Sequence, residues 1–102
     1  MTLFLAEFFH TDNGVTCLDV GFNDLSTAQE CSGAVSYAKN FNSEAHYVGE
    51  GSYSGIPKGC AMHDGGYIYF NIHPTGGRQS SYSSICNNGN TQFWVHYWAL
   101  GK

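Results

Sequence analysis

The strongest pattern of apolar positions lies in the second half of the chain. Tyr67–Ile72 is a run of aromatic and β-branched residues, which is the composition of a strand. Asp64-Gly65-Gly66 precedes this run, and both residue types tolerate the positive φ angles of tight turns. The pattern therefore predicts a β-hairpin that begins near Pro57. We expect it to end at His73-Pro74, because proline cannot donate to a strand ladder.

Small apolar residues recur at helical spacing over residues 23–41. Ser26 is suited to the N-cap position, and Gln29 three residues later completes a capping box. Spacings of three and four place the following residues on one face of the helix: Ala28, Cys31, Ala34, Val35 and Ala38. These small side chains predict a helix that lies close against a sheet, with Phe41 closing the helix end over the core.

The remaining segments predict shorter strands. Thr2–Phe9 is apolar without clear periodicity, so a strand and a short helix both fit it. Val15–Phe22 fits a short strand with Cys17 facing inward, and Glu44–Gly49 fits another. Thr91–Leu100 is apolar on both faces, so it is a central strand or it meets a partner. Together the patterns predict an α+β domain, in which one helix packs on a mostly antiparallel sheet of about four to six strands.

Length and charge narrow the class of protein. A chain of 102 residues with 12% charged residues and 13 glycines suits one turn-rich domain. The net charge is −4, and the few basic residues are scattered: Lys39, Lys58, Arg78 and Lys102. A phosphate-tracking surface needs clustered basic residues, so we expect neither nucleic acid nor an anionic membrane as a partner. The apolar runs are also too short for a transmembrane segment.

The cysteines point to an oxidising compartment. Cys17, Cys31, Cys60 and Cys86 are widely spaced and include no CxxC pair, which argues against a zinc site or a thioredoxin-type motif. An even number in a small, glycine-rich domain favours two disulfides. Free cytosolic thiols are the alternative, and the spacing leaves three pairings open. Residues 1–9 lack the features of a signal peptide, so an oxidised protein has lost a leader or is a piece of a longer chain.

The motif pieces Pro57-Lys58-Gly59-Cys60, Gly66-x-x-Tyr69-Phe70-Asn71-x-His73-x-Thr75-Gly76 and Ile85-Cys86 resemble a small cysteine-rich module. That module occurs in secreted and organellar proteins of dinoflagellates, haptophytes and other algae. The order of elements is also similar to PAN/apple domains, which bind carbohydrates or proteins. Both likenesses imply nested pairing, Cys31 with Cys60 and Cys17 with Cys86, in a domain outside the cytosol. The length predicts one domain over residues 1–102, and the resemblance implies a module core at about 15–88.

No residue pattern predicts an enzyme, a metal site or a cofactor. The five histidines show neither helical i, i+4 spacing nor an HExxH pattern. His63 and His73 flank the hairpin and can face each other across it near Asp64, but we interpret them as polar residues beside turns. There is no Gly-x-Ser-x-Gly elbow for a nucleophile, and the acidic residues suggest no pair for glycoside hydrolysis.

A carbohydrate-binding site has better support. Sugars stack on aromatic faces and accept hydrogen bonds from polar side chains. Candidates cluster along one strand and the loop after it: Tyr67, Tyr69, Asn71, His73, Thr75 and Arg78. Core packing is the alternative for Tyr69, and hydrogen bonds that hold the loop are the alternative for Asn71 and Thr75.

The terminal segments, residues 1–10 and 91–102, suggest a different kind of site. They carry many large aromatic residues, and the candidates for contact with a protein partner are Phe4, Phe8, Phe9, Trp94 and Trp98. With the resemblance, they predict a non-enzymatic structural or interaction module. We expect an accessory subunit of a larger complex, such as a photosynthetic complex of the algal thylakoid lumen. A secreted carbohydrate-binding or adhesion domain is the alternative.

Overall fold

The structure is a computed structural model, and it describes residues 8–87. In chain order these residues form β1 (Phe8–His10), a 3-10 turn (Leu18–Val20), β2 (Asn23–Asp24), α1 (Ala28–Gly33), α2 (Val35–Ala38), β3 (His46–Gly51), β4 (Pro57–His63), β5 (Tyr67–Gly76) and β6 (Tyr82–Asn87). The sheet order is β1-β6-β4-β5-β3, and β2 also pairs with β6. Each described pair of strands is antiparallel except β3 with β5. The predicted α+β fold is confirmed.

The hairpin of β4 and β5 forms at the predicted turn. The N–H of Gly66 donates to the carbonyl of His63 at 2.8 Å. Gly66 has a φ of +97°, and a Cβ there would lie 2.5 Å from the carbonyl oxygen of Glu44, so only glycine fits. The second strand is longer than predicted, because it continues through Pro74 to Gly76. It does so through a bulge, since Gly59 pairs with Asn71 whereas Pro57 pairs with Gly76.

The helical segment is shorter than predicted, and it is divided at Ala34. It begins after Thr27, whose Oγ1 accepts a hydrogen bond from the N–H of Glu30 at 3.0 Å. The carboxylate of Glu30 reaches back to accept from the N–H of Ser26 at 2.8 Å. The predicted capping box of Ser26 and Gln29 is therefore wrong by one residue, because Thr27 is the cap and Glu30 is the residue three positions later whose side chain reaches back.

The predicted inward face of the helix is confirmed. Cys31, Ala34 and Ala38 are fully buried. They pack against larger side chains of the sheet, which are Cys60, Met62, Ile68, Phe70 and Ile85. The small helical residues let the helices lie close to these strands. Phe41 does not close this core as predicted, since its ring is 40% exposed and stacks on His10 with 3.7 Å between the ring centroids.

Residues 15–22 do not form the predicted strand. Cys17 is buried as expected, but the residues after it form the 3-10 turn, and the side chain of Leu18 is 84% exposed. The carboxylate of Asp19 accepts a hydrogen bond from the N–H of Thr16 at 2.9 Å, which closes the turn locally. The disulfide of Cys17 with Cys86 then ties this locally closed turn to the sheet.

The two disulfides have the nested pairing that the resemblance implies. Cys31 is bonded to Cys60, and Cys17 is bonded to Cys86. The first bond joins the helix to the hairpin on one face of the sheet. The second bond joins the 3-10 turn to β6 on the other face, because Cys86 alternates with the core residue Ile85. Two buried disulfides indicate an oxidising environment outside the cytosol.

No helix within residues 8–87 is long and apolar enough to cross a membrane. The interpretation of Glu44–Gly49 as a strand is confirmed, with β3 shifted two residues along the chain. The strand predicted for Thr91–Leu100 lies outside the described residues. So does most of Thr2–Phe9, of which only the last two residues belong to β1.

Candidate functional site

Six aromatic side chains gather on the face of the sheet that points away from the helices. They are Tyr53, Tyr67, Tyr69, Tyr82, His46 and His63, and we call them the aromatic platform. Side chains alternate between the two faces of a strand, so Tyr67 and Tyr69 point away from the core that contains Ile68 and Phe70. The register adds rings from the neighbouring strands.

The rings of the platform contact one another in a continuous series. Tyr53 meets Tyr69 at 5.7 Å between ring centroids, and Tyr69 meets Tyr82 at 6.4 Å. From Tyr82 the series continues to His63 at 5.0 Å, and from His63 to Tyr67 at 5.7 Å. His46 closes the series with an edge contact to Tyr67 at 5.1 Å. Most of these contacts are edge-to-face or tilted, which is a favourable geometry for aromatic pairs.

Small residues make room for the rings. Ala61 pairs with Tyr69 in the register and is fully buried beneath the platform. A Cβ at Gly51 would lie 2.5 Å from atoms of the Tyr53 ring, so glycine is required there for Tyr53 to lie over the sheet. Tyr53, which contacts Tyr69, and Tyr67 are the two most exposed tyrosines of the platform. They are 42% and 45% exposed. The platform is thus supported from below and open to solvent.

The hydroxyl of Tyr82 is a neutral hydrogen-bonding group of the platform. Burial, and then the neighbouring phenols of Tyr69 and Tyr53, raise the pKa of Tyr82. Its hydroxyl therefore stays protonated at neutral pH and can both donate and accept. An array of this kind can pack against an apolar surface through its ring faces while its edges bond to hydroxyl groups.

Asn71 holds a loop and is not available to a ligand. Its side chain is 1% exposed, and its Nδ2 donates to the carbonyls of Tyr53, Ile56 and Pro57 at 2.8 to 3.0 Å. Its Oδ1 accepts from the N–H of Tyr53 at 2.8 Å. The amide thus fixes the loop that carries Tyr53, so Asn71 positions the platform from below.

His73 and Thr75 belong to the bulge of β5. The Nδ1 of His73 accepts from the N–H groups of Thr75 at 3.2 Å and Gly76 at 2.9 Å, which stabilises the bulge. The Nδ1 of His63 accepts from the N–H of Gly65 at 2.9 Å in the hairpin turn. His63 and His73 do not face each other across the hairpin, because they stand at opposite ends of it, and His63 is a polar residue beside the turn, as we interpreted it. At the usual rise per residue of a strand, His63 and His73 are about 20 Å apart along the hairpin.

Thr75 and Arg78 line a separate cleft at the end of the hairpin that lies away from the turn. This end cleft has a volume of about 590 Å³. Its other lining residues are Thr16, Leu18, Asp24, Pro57, Lys58, Pro74, Gly76 and Gly77. The six residues predicted to bind sugar are thus divided: Tyr67 and Tyr69 lie on the platform, Thr75 and Arg78 line the end cleft, and Asn71 and His73 support the backbone.

Arg78 is held by an acidic partner. Its guanidinium group forms a two-pronged ion pair with Asp19, in which Nη2 donates to Oδ1 at 2.8 Å. The hydrogen bonds from Arg78, and then from the N–H of Thr16, hold the pKa of Asp19 well below its usual range. Such a fork-shaped pair fixes the wall of the end cleft more firmly than one bond does.

Asp24 and Lys58 form a looser pair in the same cleft. The Lys58 Nζ lies 3.9 Å from the Asp24 Oδ2, beyond hydrogen-bond distance. Burial raises the pKa of Asp24, and the charge of Lys58 opposes this effect. The carboxylate of Asp24 can therefore still accept hydrogen bonds, and the ammonium group of Lys58 can still donate them, because the two groups do not hydrogen-bond to each other.

The aromatic residues of β1 are partly built into the fold. Phe8 packs against Tyr37 at 5.6 Å between ring centroids, and Phe9 meets Phe22 at 4.7 Å. Phe9 and Phe22 lie near the Cys17–Cys86 bond on the outer face. The other residues predicted to meet a partner, Phe4, Trp94 and Trp98, lie outside the described residues.

A second cleft, of about 430 Å³, lies at the turn end of the sheet on the side of the helices. His10 contributes to its wall, and the Nδ1 of His10 lies 2.7 Å from the hydroxyl of Tyr37. Burial lowers the pKa of His10, and the charge of Asp12 opposes this effect. Within residues 8–87 no three His, Cys, Asp or Glu side chains come together as metal ligands.

The sequence interpretation missed four members of the platform. Tyr53, Tyr82, His46 and His63 come from separate segments, and only the strand register brings them beside Tyr67 and Tyr69. The single local signal is the spacing of two between Tyr67 and Tyr69, which places both rings on one face.

Comparison with known proteins identifies no relative. No protein-family model, no curated protein and no solved structure matches this chain. The resemblance to the algal module and to PAN/apple domains therefore stays a prediction.

Proposed function

We propose that this chain is a non-enzymatic carbohydrate-binding domain of an oxidising compartment, and that it binds glycan on the aromatic platform. The observation that supports this most directly is the exposure of Tyr53 and Tyr67. Each leaves almost half of its side chain in solvent while its neighbours hold the ring in place. Rings that are preorganised in this way lose little conformational entropy when a ligand packs on them.

The chemistry of the platform suits a sugar better than an apolar ligand. One face of a pyranose ring presents C–H groups, which pack on an aromatic ring, while its edge presents hydroxyl groups. Tyrosine offers both an apolar face and a hydroxyl that donates and accepts. Ala61 beneath Tyr69 and Gly51 beside Tyr53 carry no bulky side chain, so the rings themselves form the surface that a flat ligand meets.

The histidines support a binding role over a catalytic one. A nucleophilic triad needs a histidine oriented by a carboxylate. Within residues 8–87 each histidine instead bonds to a phenol, a hydroxyl or a backbone group. No histidine in that part of the chain is hydrogen-bonded to an acidic side chain.

A glycan array followed by affinity measurements tests the proposal. We expect retention of at least one soluble glycan and about tenfold weaker binding by Tyr67→Ala and by Tyr53→Ala, since each removes one stacking surface. Phe41→Ala is the matched control, because it removes a ring of similar exposure on the opposite face of the sheet. Binding that Phe41→Ala weakens as much as Tyr67→Ala would contradict the proposal, as would the failure of every glycan class to bind.

A protein partner is the second candidate function, as an accessory subunit of a larger complex. Leu18 favours it, since this large apolar side chain is 84% exposed and stands between two rigid tethers. The disulfide of Cys17 fixes the chain before Leu18, and the ion pair of Asp19 with Arg78 fixes it afterwards. An apolar side chain held in this way is suited to fill a pocket on a partner.

Pull-down from the native source separates the two candidates. We expect a subunit to retain its partner in Tyr67→Ala and to lose it in Leu18→Ser. A carbohydrate-binding domain that uses the platform loses glycan affinity in Tyr67→Ala in the glycan assay. Capture of the same proteins by Leu18→Ser and by the unchanged chain would exclude the role proposed for Leu18.

A further inference from the structure

The end cleft contains polar groups that the fold leaves unused. Within residues 8–87 neither the carboxylate of Asp24 nor the ammonium group of Lys58 makes a hydrogen bond, and the ion pair at 3.9 Å is the one polar contact that these two charged groups make there. The Asp24 side chain is 31% exposed, so its partial burial costs solvation that no hydrogen bond replaces. The same loss of solvation disfavours the charged carboxylate, and it raises the pKa of Asp24.

Glycine residues hold this pair in position. Gly59 has a φ of +88°, and a Cβ there would lie 3.0 Å from the Cβ of Asp24. Gly76 has a φ of +59°, and a Cβ there would lie 2.5 Å from the backbone nitrogen of Lys58. The backbone thus approaches both residues as closely as glycine permits, and the cleft is preformed around them.

The charges of the end cleft cancel. Lys58 is set against Asp24, and Arg78 is neutralised by Asp19. What remains is a donor beside an acceptor, with the hydroxyl groups of Thr16 and Thr75 nearby and with apolar walls from Leu18 and the two prolines. A strongly charged ligand gains little here, whereas a neutral ligand that offers both donors and acceptors satisfies both groups.

We infer that the end cleft is a second sugar-binding site for one pyranose residue. One hydroxyl of the sugar donates a hydrogen bond to the carboxylate of Asp24, and an adjacent hydroxyl accepts a hydrogen bond from the ammonium group of Lys58. The apolar face of the sugar then lies on the wall formed by Leu18 and Pro74. The cleft volume of about 590 Å³ lies within the range of small-molecule sites. This site is separate from the platform, and it rests on the proposed function because both sites then serve one class of ligand.

Chemical-shift perturbation of the full chain with monosaccharides tests the inference. The probes are the methyl glycosides of glucose, galactose, mannose and N-acetylglucosamine, each titrated into the millimolar range. For at least one probe we expect saturable shifts at the backbone amides of Lys58, Thr75 and Gly77. Lys58→Gln should weaken that binding about tenfold, since it removes one charged hydrogen bond from the site.

The controls separate the two sites. Lys39→Gln removes an exposed lysine at the end of α2, and we expect it to leave the cleft shifts unchanged. Asp24→Asn keeps one acceptor oxygen while removing the charge, so it should weaken binding less than Asp24→Ala. If Asp24→Ala fails to fold, Lys58→Gln still decides the matter, because the Lys58 side chain is 53% exposed and supports little of the fold.

The location of the shifts tests the end cleft and the platform separately as sugar-binding sites. Shifts confined to Tyr53, Tyr67 and Tyr69 would overturn the second site and leave the proposed function in place. Shifts confined to the cleft would support the second site and overturn the platform as the glycan surface. The absence of shifts at both places, with no glycan bound on the array, would overturn both.

Discussion

The two faces of the sheet are built from different side chains, although the same strands supply them. On the face toward the helices, Ile68, Phe70 and Ile85 are buried against the small residues of α1 and α2. On the outer face, Tyr53 and Tyr67 are held by neighbouring rings but remain almost half exposed to solvent. Packing accounts for the residues of the first face. It does not account for the exposed rings of the second, and this difference is why we assign binding to the outer face.

The largest expected effect comes from the disulfides, of which each face has one. In the chain-entropy model the loop of 29 residues closed by Cys31–Cys60 contributes about 3.5 kcal/mol. The loop of 69 residues closed by Cys17–Cys86 contributes about 4.5 kcal/mol. We expect urea denaturation to show losses of this order for each paired Cys→Ala variant. A loss below about 1 kcal/mol for either pair would contradict this account of the stability.

Neighbouring residues on β5 test the comparison directly. Ile68→Ala leaves a cavity in the core and should cost about 3 kcal/mol of unfolding free energy. Tyr67→Ala, one residue away on the outer face, should cost about 1 kcal/mol or less while weakening glycan binding. Thermal or urea denaturation measures the first effect, and the glycan assay measures the second. Equal destabilisation by the two substitutions would show that the outer rings are core residues in energetic terms.

The stability of the fold is expected to depend on pH through His10, which lies on the helix side of the sheet. Burial lowers the pKa of His10 in the folded state, with Asp12 opposing. Unfolding then takes up a proton. The contribution of His10 to the unfolding free energy is therefore fully present above the unfolded pKa of about 6.5, and it is lost as the pH falls below that value. We expect denaturation between pH 7 and pH 5 to show a smaller loss for His10→Phe than for the unchanged chain. His46→Phe is the control on the platform, and an identical slope for all three chains would exclude this role for His10.

The smallest expected effect concerns Ser84, beneath the outer face. Its Oγ is buried and finds no hydrogen-bond partner within residues 8–87. Ser84→Ala removes that unsatisfied hydroxyl, so we expect no loss of stability and a gain of up to about 1 kcal/mol. Ser83→Ala, the neighbouring buried serine, is the control. A clear loss of stability for Ser84→Ala would mean that its hydroxyl is satisfied after all.

Local signals predicted the elements that local interactions determine. The turn at Asp64-Gly65-Gly66 and the spacing of Cys31, Ala34 and Ala38 both act over a few residues, and the structure confirms both. The 3-10 turn at Leu18 was missed although Thr16 and Asp19 close it locally, because its apolar residues also fit a strand, and a disulfide and an ion pair to distant residues then fix its place on the sheet. The length of β5 was missed because its bulge depends on the register with β4.

The candidate site was harder to predict than the fold. Residue chemistry identified Tyr67, Tyr69 and Arg78 as polar or aromatic candidates, but only long-range pairing decides which of them stand together. Asn71 illustrates the limit, since an asparagine on a strand has the same local pattern whether it faces a ligand or holds a loop. Its burial follows from the path of residues 53–57, and no property of its own segment indicates that path.

The register of β1 with β6 has a consequence for the order of folding. The hairpin of β4 and β5 closes over a three-residue turn, and hairpins form within microseconds. Phe8 pairs with Asn87, so β1 joins the sheet only when the two ends of the described chain meet. Long-range contacts of this kind form late, because their loop-closure entropy is lost before they stabilise the chain. We therefore expect oxidative folding to proceed outward from the hairpin, so that the Cys31–Cys60 bond forms before the Cys17–Cys86 bond.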